Sequence, residues 1–352
     1  MNMKKFFINC YSGLIRNRDK RRAVRQVLLD TASSLNEDFV VVGGFLDLGD
    51  IDWQTYLLTH NLPEKVSILR SGLGEKSNQL LDLIFSRMTI FPKGNHRPPW
   101  NYKIRVSAMQ LLSSPDELAD AKAFFEELPQ YHVDFPVDGR EYTPDIFFYH
   151  CGLRNKNNKL KKYIAGKDFI DGGAYVGDSA LLYISHYAPR CVYSFEISEK
   201  NSVRYENTMR INKIHTDRYK FFRIGLSDKK SEIMMEDTGG VGASVLDRGN
   251  SKVQLTDLDS FAIENNLHIG FIKADLEGVG LEATLGMAET IKRDRPVINI
   301  AMYHNPKEFF EIKPTLEKIT DGLNYNITIE RHHPFNDCAT EIVVFACPKE
   351  LE

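Results

Sequence analysis

The sequence predicts an α/β protein, in which a doubly wound, mostly parallel sheet with an antiparallel edge strand follows a mainly helical N-terminal domain. From Lys167 onward, strand-like apolar runs alternate with helical segments, a pattern typical of a parallel sheet covered on both faces. The last two runs are joined by the loop Arg331 to Thr340 instead of a helix, which predicts an antiparallel pair at the sheet edge. Before Lys167, the apolar spacing is mostly helical.

Regular alternation defines the second half, residues 151–352, as a Rossmann-like domain. Its predicted strands are Asp168 to Asp171, Cys191 to Glu196, Tyr219 to Ile224, Ile269 to Asp275, Pro296 to Met302, Asn326 to Glu330 and Glu341 to Ala346. Its predicted helices are Asp178 to Tyr187, Glu199 to Asn212, Asp259 to Asn266, Leu281 to Arg293 and Pro306 to Gly322.

Residues 1–150 are predicted to form a separate, mainly helical domain of unknown role. Helical spacing occurs over Arg22 to Leu35, Asn78 to Met88 and Asp116 to Leu128, and the apolar run Phe39 to Phe45 predicts a short buried strand. This half could supply acceptor recognition, homodimer contacts or a surface for another partner. The sequence does not decide among these roles.

The composition excludes several functional classes. The formal net charge is -3 and the pI is about 6.4, so no global basic field recruits nucleic acid. The local basic run Arg16 to Arg25 is consistent with a solvated helix face or with an arm for an anionic partner. No run approaches the roughly 18 consecutive apolar residues of a membrane span, and polar residues interrupt the apolar stretch that a signal peptide would need. The five cysteines show no metal-ligand spacing, which favours reduced thiols, a cytoplasmic location and no metal site.

A glycine-containing turn between a strand and a helix is the strongest local signal. In FIDGGAYVGDS, residues 169–179, the strand ends at Asp171 and a helix begins near Asp178. Gly173 and Gly177 lack Cβ atoms, so the backbone is able to turn tightly and approach a ligand. Glu196 ends the next strand, where an acid binds both ribose hydroxyls in nucleotide-binding α/β folds. Together they predict a nucleoside ligand, although the turn alone is equally consistent with a structural role.

Asp171 discriminates among nucleosides. The run from Gly172 reads G-x-A-x-x-G, close to the dinucleotide fingerprint, but a carboxylate at this strand end would repel a pyrophosphate. The same carboxylate suits a cationic group, such as the methionyl ammonium of S-adenosylmethionine. The alternative for Asp171 is a turn or cap role.

These segments resemble the FkbM-type O-methyltransferases, a branch of the class I S-adenosylmethionine-dependent methyltransferases. FIDGGAYVGDS is similar to the family's D-x-G-A-x-x-G turn, VYSFEI (192–197) to its ribose-acid motif, and GLSDKKSEI (225–233) to its segment after the third strand. FIKADLEG (271–278) is similar to I-K-x-D-x-E-G, its most specific element. The resemblance covers roughly residues 167–349 and implies a class I methyltransferase domain that transfers a methyl group to a hydroxyl.

Two positions depart from the family pattern. Family members commonly have a second glutamate two positions after the E-G glycine, where this chain has Gly280, with Glu282 slightly later. They often have Y-H-K after the fifth strand, where this chain has Tyr303, His304 and Asn305. The effect of Gly280 on activity is open.

The resemblance and the turn together give a set of residues expected to bind S-adenosylmethionine as the cofactor. These residues are Asp171, Gly173, Ala174, Tyr175, Gly177, Asp178, Ser179, Glu196, Ile197, Ser227, Asp228 and Asp275.

Candidates for catalysis lie at the carboxyl ends of two later strands, beyond which ligands bind in open α/β sheets. Methyl transfer to a hydroxyl favours a base within hydrogen-bond reach, and His304 is the leading candidate because its intrinsic pKa suits proton removal near neutrality. Asp275 and Glu277 are alternative bases, or groups that orient the acceptor or bind the cofactor. The structural alternatives are an ion-pair cluster with Lys273 and a strand-end histidine.

Two further segments are ambiguous. His332 and His333 lie near Asp337 and Glu341, a weak metal signal that is equally consistent with acceptor-pocket or exposed loop residues. The glycine-rich segment Asp237 to Asn250 is consistent with a lid over the acceptor or with an ordinary hairpin connection.

Three functions fit the sequence. The first is an S-adenosylmethionine-dependent O-methyltransferase whose partner is a small-molecule or glycan hydroxyl acceptor, such as a sugar. The second is an NAD-dependent oxidoreductase on a Rossmann-type fold, against which Asp171 and FIKADLEG count. The third is a nucleoside-binding module without catalytic activity, which the Gly280 departure and the unassigned first half keep open.

Overall fold

A three-layer α/β arrangement organises the chain in this computed structural model. The structure describes residues 39–42, 55–56, 58–90, 102–105, 114–139, 142–235, 251–334 and 340–352. Its strands are β1 (Phe39–Val42), β2 (Tyr102–Arg105), β3 (Asp168–Gly172), β4 (Val192–Phe195), β5 (Tyr219–Phe222), β6 (Gly225–Leu226), β7 (Ser231–Met235), β8 (Ser251–Thr256), β9 (Ile269–Ala274), β10 (Val297–Ala301), β11 (Tyr325–Arg331) and β12 (Ile342–Pro348).

Eleven α-helices accompany these strands in the described residues. They are α1 (Leu62–Arg70), α2 (Glu75–Ile90), α3 (Pro115–Asp134), α4 (Pro144–Phe147), α5 (Asn158–Ile164), α6 (Asp178–His186), α7 (Glu199–Ile211), α8 (Leu258–Glu264), α9 (Gly280–Leu285), α10 (Ala288–Asp294) and α11 (Pro306–Ile319). The sequence pattern predicted α9 and α10 as one helix; the chain instead breaks at Gly286 and Met287.

The main sheet has seven strands in the order β11-β12-β10-β9-β3-β4-β5. Of the seven strands, β12 alone runs opposite to the other six. The prediction of a mostly parallel sheet with an antiparallel edge pair is therefore confirmed. All seven predicted strands are present. The order in which the chain adds strands reverses between β3 and β9: β4 and β5 lie on one side of β3, and the later strands lie on the other. Ligands bind at such switch points in open α/β sheets.

The main sheet is buried on both of its faces. The central strands β3, β9 and β10 are buried at every position, because helices cover both faces of a parallel sheet. One apolar core contains Ile170, Ile272 and Ile298 with residues of α8 to α11. The other contains Phe169 and Phe271 with residues of α3 to α7.

The described helices before residue 150 share these two cores. Leu69 and Leu81 of α1 and α2 belong to the first, and Phe124 and Phe147 of α3 and α4 belong to the second. The division at residue 150 stays a prediction, but no break in either core marks it among the described residues. The expected helix at 22–35 lies outside those residues, while the expected strand at 39–45 is present over 39–42, paired with β2.

A small second sheet follows β5 and was not expected from the sequence. Strand β8 pairs with β6 in parallel and with β7 in antiparallel orientation. The segment Asp237 to Asn250, interpreted as a lid or a hairpin connection, lies outside the described residues, between two strands that pair antiparallel. In the described part of the chain, no helix has the length and apolar character required to cross a membrane.

Truncation of a buried side chain on the central strand β9 should destabilise the protein strongly. Ile272 has 0% exposure and faces Ile170 and Ile298 on the neighbouring strands. Ile272→Ala is expected to lower the free energy of unfolding by about 2–5 kcal/mol, through lost burial and an unfilled cavity. Urea unfolding provides the measurement. The control Ile263→Ala removes the same atoms from a side chain that is 69% exposed and should change the free energy by less than about 0.5 kcal/mol; equal effects would contradict the assigned core.

Candidate functional site

A row of polar side chains crosses the middle of the buried sheet. Strand register places Ser194, Asp171, Lys273 and Asn299 side by side on β4, β3, β9 and β10. All four are buried. Since unpaired polar groups are costly in such an interior, their partners indicate what the row holds in place.

Lys273 connects this row to the glycine turn. Its Nζ donates to the carbonyl oxygens of Gly172 at 3.1 Å and Gly173 at 2.8 Å, and it lies 3.6 Å from Oδ1 of Asp171. Burial opposes the charge of Lys273, but the carboxylates of Asp171 and Asp275 outweigh that effect and raise its pKa. The sequence indicated Lys273 only as part of an ion-pair cluster; in the structure, Lys273 fixes the backbone where the turn begins.

Asp171 lies at the predicted strand end, but its side chain points into the protein. It has 0% exposure; Oδ2 accepts from the Ser179 hydroxyl at 2.7 Å and the Ser194 hydroxyl at 3.4 Å. Oδ1 has no hydrogen-bond partner and faces Lys273. A direct contact between Asp171 and a ligand ammonium therefore stays a prediction. The alternative role, holding the turn and the start of α6, is the one that these contacts support.

The two turn glycines are required for different reasons. Gly173 has φ +73°, and a Cβ there would lie 1.9 Å from the carbonyl oxygen of Asp275. Gly177 has φ +81°, and a Cβ there would lie 2.9 Å from Tyr205 and Met209. Gly173 therefore brings the turn directly against the chain after β9, and Gly177 brings the start of α6 against α7.

The remaining predicted turn residues divide into buried and accessible groups. Ala174, Asp178 and Ser179 are buried, and burial raises the pKa of Asp178 to about 7. Tyr175 is partly exposed, and its hydroxyl accepts from Arg204 at 3.1 Å. Gly173 and Tyr175 are the parts of the turn that face outward.

Glu196 occupies the position expected of a ribose-binding acid, directly after β4. Its carboxylate accepts from the backbone N–H groups of Tyr175 at 3.0 Å and Ser198 at 2.7 Å. Burial raises its pKa, with these backbone donors acting in the opposite direction. Because a carboxylate has about four lone-pair sites, further hydroxyl donors are able to bind it.

Ile197 follows Glu196 in the chain, and Ser227 and Asp228 follow β6 of the second sheet. Ile197 is partly buried against Val253 of β8, and Ser227 is buried after β6 with its N–H bonded to the Thr256 carbonyl. Asp228 is exposed. These contacts join parts of the protein to one another, so a role of the three residues in cofactor binding stays a prediction.

Asp275, Glu277 and His304 come together at the same edge of the sheet. His304 Nε2 lies 3.0 Å from Oδ1 of Asp275 and 3.8 Å from Oε2 of Glu277. The closer pair has ion-pair distance but not hydrogen-bond alignment. Glu277 has φ 49°, a left-handed conformation that residues other than glycine seldom adopt and that is frequent at functional sites.

A third carboxylate at this cluster was missed by sequence reasoning. Glu308 of α11 has Oε2 3.2 Å from Nδ1 of His304 and is almost fully buried. It sits in the first turn of a helix, where acids are commonly interpreted as favourable to the helix dipole alone. Only its tertiary contact distinguishes it from such a residue.

These carboxylates change the expected chemistry of His304. Burial opposes its charge, but Asp275, Glu308 and Glu277 outweigh that effect and raise its pKa well above the ordinary value. These carboxylates favour the protonated ring, and the base role of His304 stays a prediction. Burial opposes ionisation of Asp275, yet His304 and Lys273 lower its pKa. Burial and Asp275 raise the pKa of Glu277.

His332 and His333 also reach this edge, because β11 runs in the same direction as β10. His332 is buried, 3.2 Å from Oε2 of Glu330 and stacked on Tyr149. His333 Nδ1 lies 3.4 Å from the Arg331 guanidinium, while Asp337 lies outside the described residues. Glu341 accepts a hydrogen bond from the Tyr303 hydroxyl at 3.0 Å. No group of three or more His, Cys, Asp or Glu in the described residues is placed to hold a metal ion.

The close approach of Gly173 gives a direct test of the site's framework. Gly173→Ala is expected to destabilise the protein by clearly more than the roughly 1–2 kcal/mol of left-handed backbone strain, because the new Cβ collides with the Asp275 carbonyl. Gly166→Ala is the matched control, since Gly166 has φ +74° with nothing within 4 Å of the added Cβ. Equal losses in chemical unfolding would show that the contact is absent.

Comparison with known proteins places this geometry in a family. The methyltransferase FkbM domain matches residues 171–334. The crystal structure of methyltransferase FkbM from Methylobacillus flagellatus KT is similar to this chain, with 16% identity and a TM-score of 0.54 over 86% of this chain and 63% of that one. The chain thus spans less than two thirds of that structure, and at this identity the similarity shows the fold alone.

Two other solved structures are more distant. An rRNA methylase from Streptococcus thermophilus has 12% identity and a TM-score of 0.36 over 60% of this chain and 99% of its own. A putative methyltransferase from Streptococcus mutans, solved in complex with SAH, has 14% identity and a TM-score of 0.36 over 59% of this chain and 98% of its own. No curated protein matches the chain. The resemblance of the turn, the ribose acid and FIKADLEG is confirmed: residues 171–334 of this chain match the methyltransferase FkbM domain.

Proposed function

We propose that this chain is an S-adenosylmethionine-dependent O-methyltransferase that acts on a hydroxyl of a sugar or other small metabolite. The proposal rests on one observation, the contact between the glycine turn and the acidic cluster. Asp275 donates its N–H to Gly172 at 3.0 Å, and its carbonyl occupies the space beside Gly173. A nucleoside held by the turn would thus lie next to groups that are able to accept a proton.

The cofactor side of this arrangement fits a sulfonium nucleoside. Glu196 would bind the ribose hydroxyls, and the outward faces of Gly173 and Tyr175 would contact the ligand through their backbone atoms. Asp171 would act indirectly, by holding Ser179 and Lys273. When bound, S-adenosylmethionine supplies the methyl group, which passes to the acceptor oxygen as its bond to sulfur breaks and S-adenosylhomocysteine is left.

On the acceptor side, Glu277 is the base in this proposal. Environments that push two neighbouring pKa values apart are typical of acid–base sites. Here the pKa of Asp275 is lowered and the pKa of Glu277 is raised. Glu277 would take the proton of the acceptor hydroxyl, while ionised Asp275 orients the acceptor. His304, which carries its own proton, would hold both carboxylates in place.

An NAD-dependent oxidoreductase is the second candidate that the fold permits. Repulsion between Asp171 and the pyrophosphate of NAD is weaker than expected, because the charge of Lys273 balances that carboxylate. The choice therefore depends on the family match and on Glu277. Calorimetric titration separates the two candidates: binding of NADH without binding of S-adenosylmethionine would reject the proposal.

The ribose position is tested by Glu196→Ala. Loss of hydrogen bonds to a charged group, worth about 1.5–3 kcal/mol, should weaken S-adenosylmethionine binding about 10- to 100-fold in calorimetry. Glu199→Ala serves as the control, because Glu199 is three residues away, with its side chain 73% exposed. Unchanged affinity in the Glu196 variant would remove the proposed cofactor site.

The base is tested by Glu277→Gln and by the pH profile. Glu277 accepts a proton only when ionised, so the rate should fall as the pH drops through its raised pKa. The glutamine variant should lose about 10²–10⁴-fold in turnover and bind S-adenosylmethionine normally. His304→Ala should also lower turnover with little effect on cofactor affinity. If the Glu277 variant kept full turnover and still showed the same fall in rate at low pH, the base role of Glu277 would be excluded.

The acceptor is identified by incubating the purified chain with methyl-labelled S-adenosylmethionine and fractionated extracts. Label is expected in a small molecule or glycan, in an ether linkage that survives mild base. The Glu277→Gln chain provides the matched blank. Cofactor binding without any labelled product would favour the module without catalytic activity.

A further inference from the structure

Glu308 has a position that ordinary helix stabilisation does not explain. Its side chain is 1% exposed, and its two carboxylate oxygens have separate partners. Oε1 accepts from the N–H of Gly280 at 2.5 Å, and Oε2 lies 3.2 Å from Nδ1 of His304. A buried carboxylate is costly unless such partners satisfy it. The group therefore joins two chain segments that both border the acceptor side.

Gly280 makes this arrangement sterically possible. It is the first residue of α9, whose N-cap Val279 supplies no side-chain cap, so Glu308 satisfies a backbone donor that the helix leaves free. A Cβ at Gly280 would lie 3.1 Å from Oε1 of Glu308. Even alanine would press on the carboxylate, and a longer side chain would have to displace it.

The His304 ring is thus held from both nitrogen atoms. Nδ1 faces Glu308, Nε2 faces Asp275 and Glu277, and the ring of Tyr303 lies against it at 4.3 Å between centroids. The Nδ1 contact is a hydrogen bond to Glu308, whereas Nε2 lies at ion-pair distance from Asp275 without hydrogen-bond alignment. The rotation of the ring is then fixed, and with it the face presented to Asp275 and Glu277.

We propose that Glu308 is the positioning residue of this site: it holds His304 through Nδ1 so that Nε2 faces the two acceptor-side carboxylates, and Gly280 provides the space that Glu308 needs. The inference rests on the proposed function, which places Asp275 and Glu277 beside the acceptor. Glu308 itself is almost fully buried, and its carboxylate contacts are to Gly280 and His304. Its effect is transmitted only through the charge and orientation of His304.

The test follows the His304 ring directly by NMR on the full chain with labelled histidine. The chain has ten histidines, and His304→Gln identifies the His304 signal by its loss. Glu308→Gln keeps the size of the side chain and an acceptor for the Gly280 N–H, but it removes the charge. The titration midpoint of His304 is expected to shift down toward its ordinary value, near about 6.5.

Glu311→Gln is the matched control. Glu311 lies on the same helix and is also ion-paired, to Lys65, but it is 30% exposed and does not contact His304. This variant should leave the His304 titration unchanged. If the Glu308 variant gave the same titration as the control, the positioning role would be refuted.

Gly280→Ala provides a second, independent variant if Glu308→Gln fails to fold. The added Cβ should move Glu308 away from Nδ1 and lower the His304 midpoint in the same direction; an unchanged midpoint would count against the inference. Both readouts are independent of turnover. Calorimetry with S-adenosylmethionine on the unmodified chain tests the proposed function separately, so the failure of one is distinguishable from the failure of the other.

Discussion

The ion pair between Lys273 and Asp171 is the constraint on which the rest of the site depends. Both groups are buried in the centre of a parallel sheet, where removing one member of a pair typically costs about 3–5 kcal/mol because the other charge is left uncompensated. Lys273 directs its remaining donors to the carbonyls of Gly172 and Gly173. The conformation of the turn, its contact with Asp275 and the start of α6 at Ser179 therefore form one connected unit.

The alternation of strand-like apolar runs with helical segments in the sequence was sufficient to predict the main sheet. The central strands were placed because β3, β9 and β10 are short, mainly apolar runs that alternate with helical segments, and the loop after Arg331 indicated the antiparallel edge. The second sheet was missed because β6 has only two residues and β7 is a short segment, SEIMM, that begins with two polar residues. The break between α9 and α10 was missed because Gly286, packed against the Ser227 carbonyl, interrupts an otherwise helical pattern.

Site residues were predicted in position better than in role. Asp171, Glu196, Asp275, Glu277 and His304 all lie at the expected strand ends, since strand ends follow from the fold. Their ionisation does not follow from it, because the pKa of His304 depends on Glu308, about one helical turn further along the sequence and on a different element. The direction of the Asp171 side chain depended in the same way on Ser179, Ser194 and Lys273.

The antiparallel direction of β12 has an evolutionary consequence. The chain reaches the sheet edge that carries Asp275 and His304 at the end of β11, near Arg331, and leaves it again at Glu341. Arg331 is anchored to Glu117 of α3 and Glu341 to Tyr303. The intervening stretch is bounded by two firmly paired strands. Both ends of this connection are fixed by side chains on other elements, so its length and sequence are able to change through evolution without disturbing the strand order.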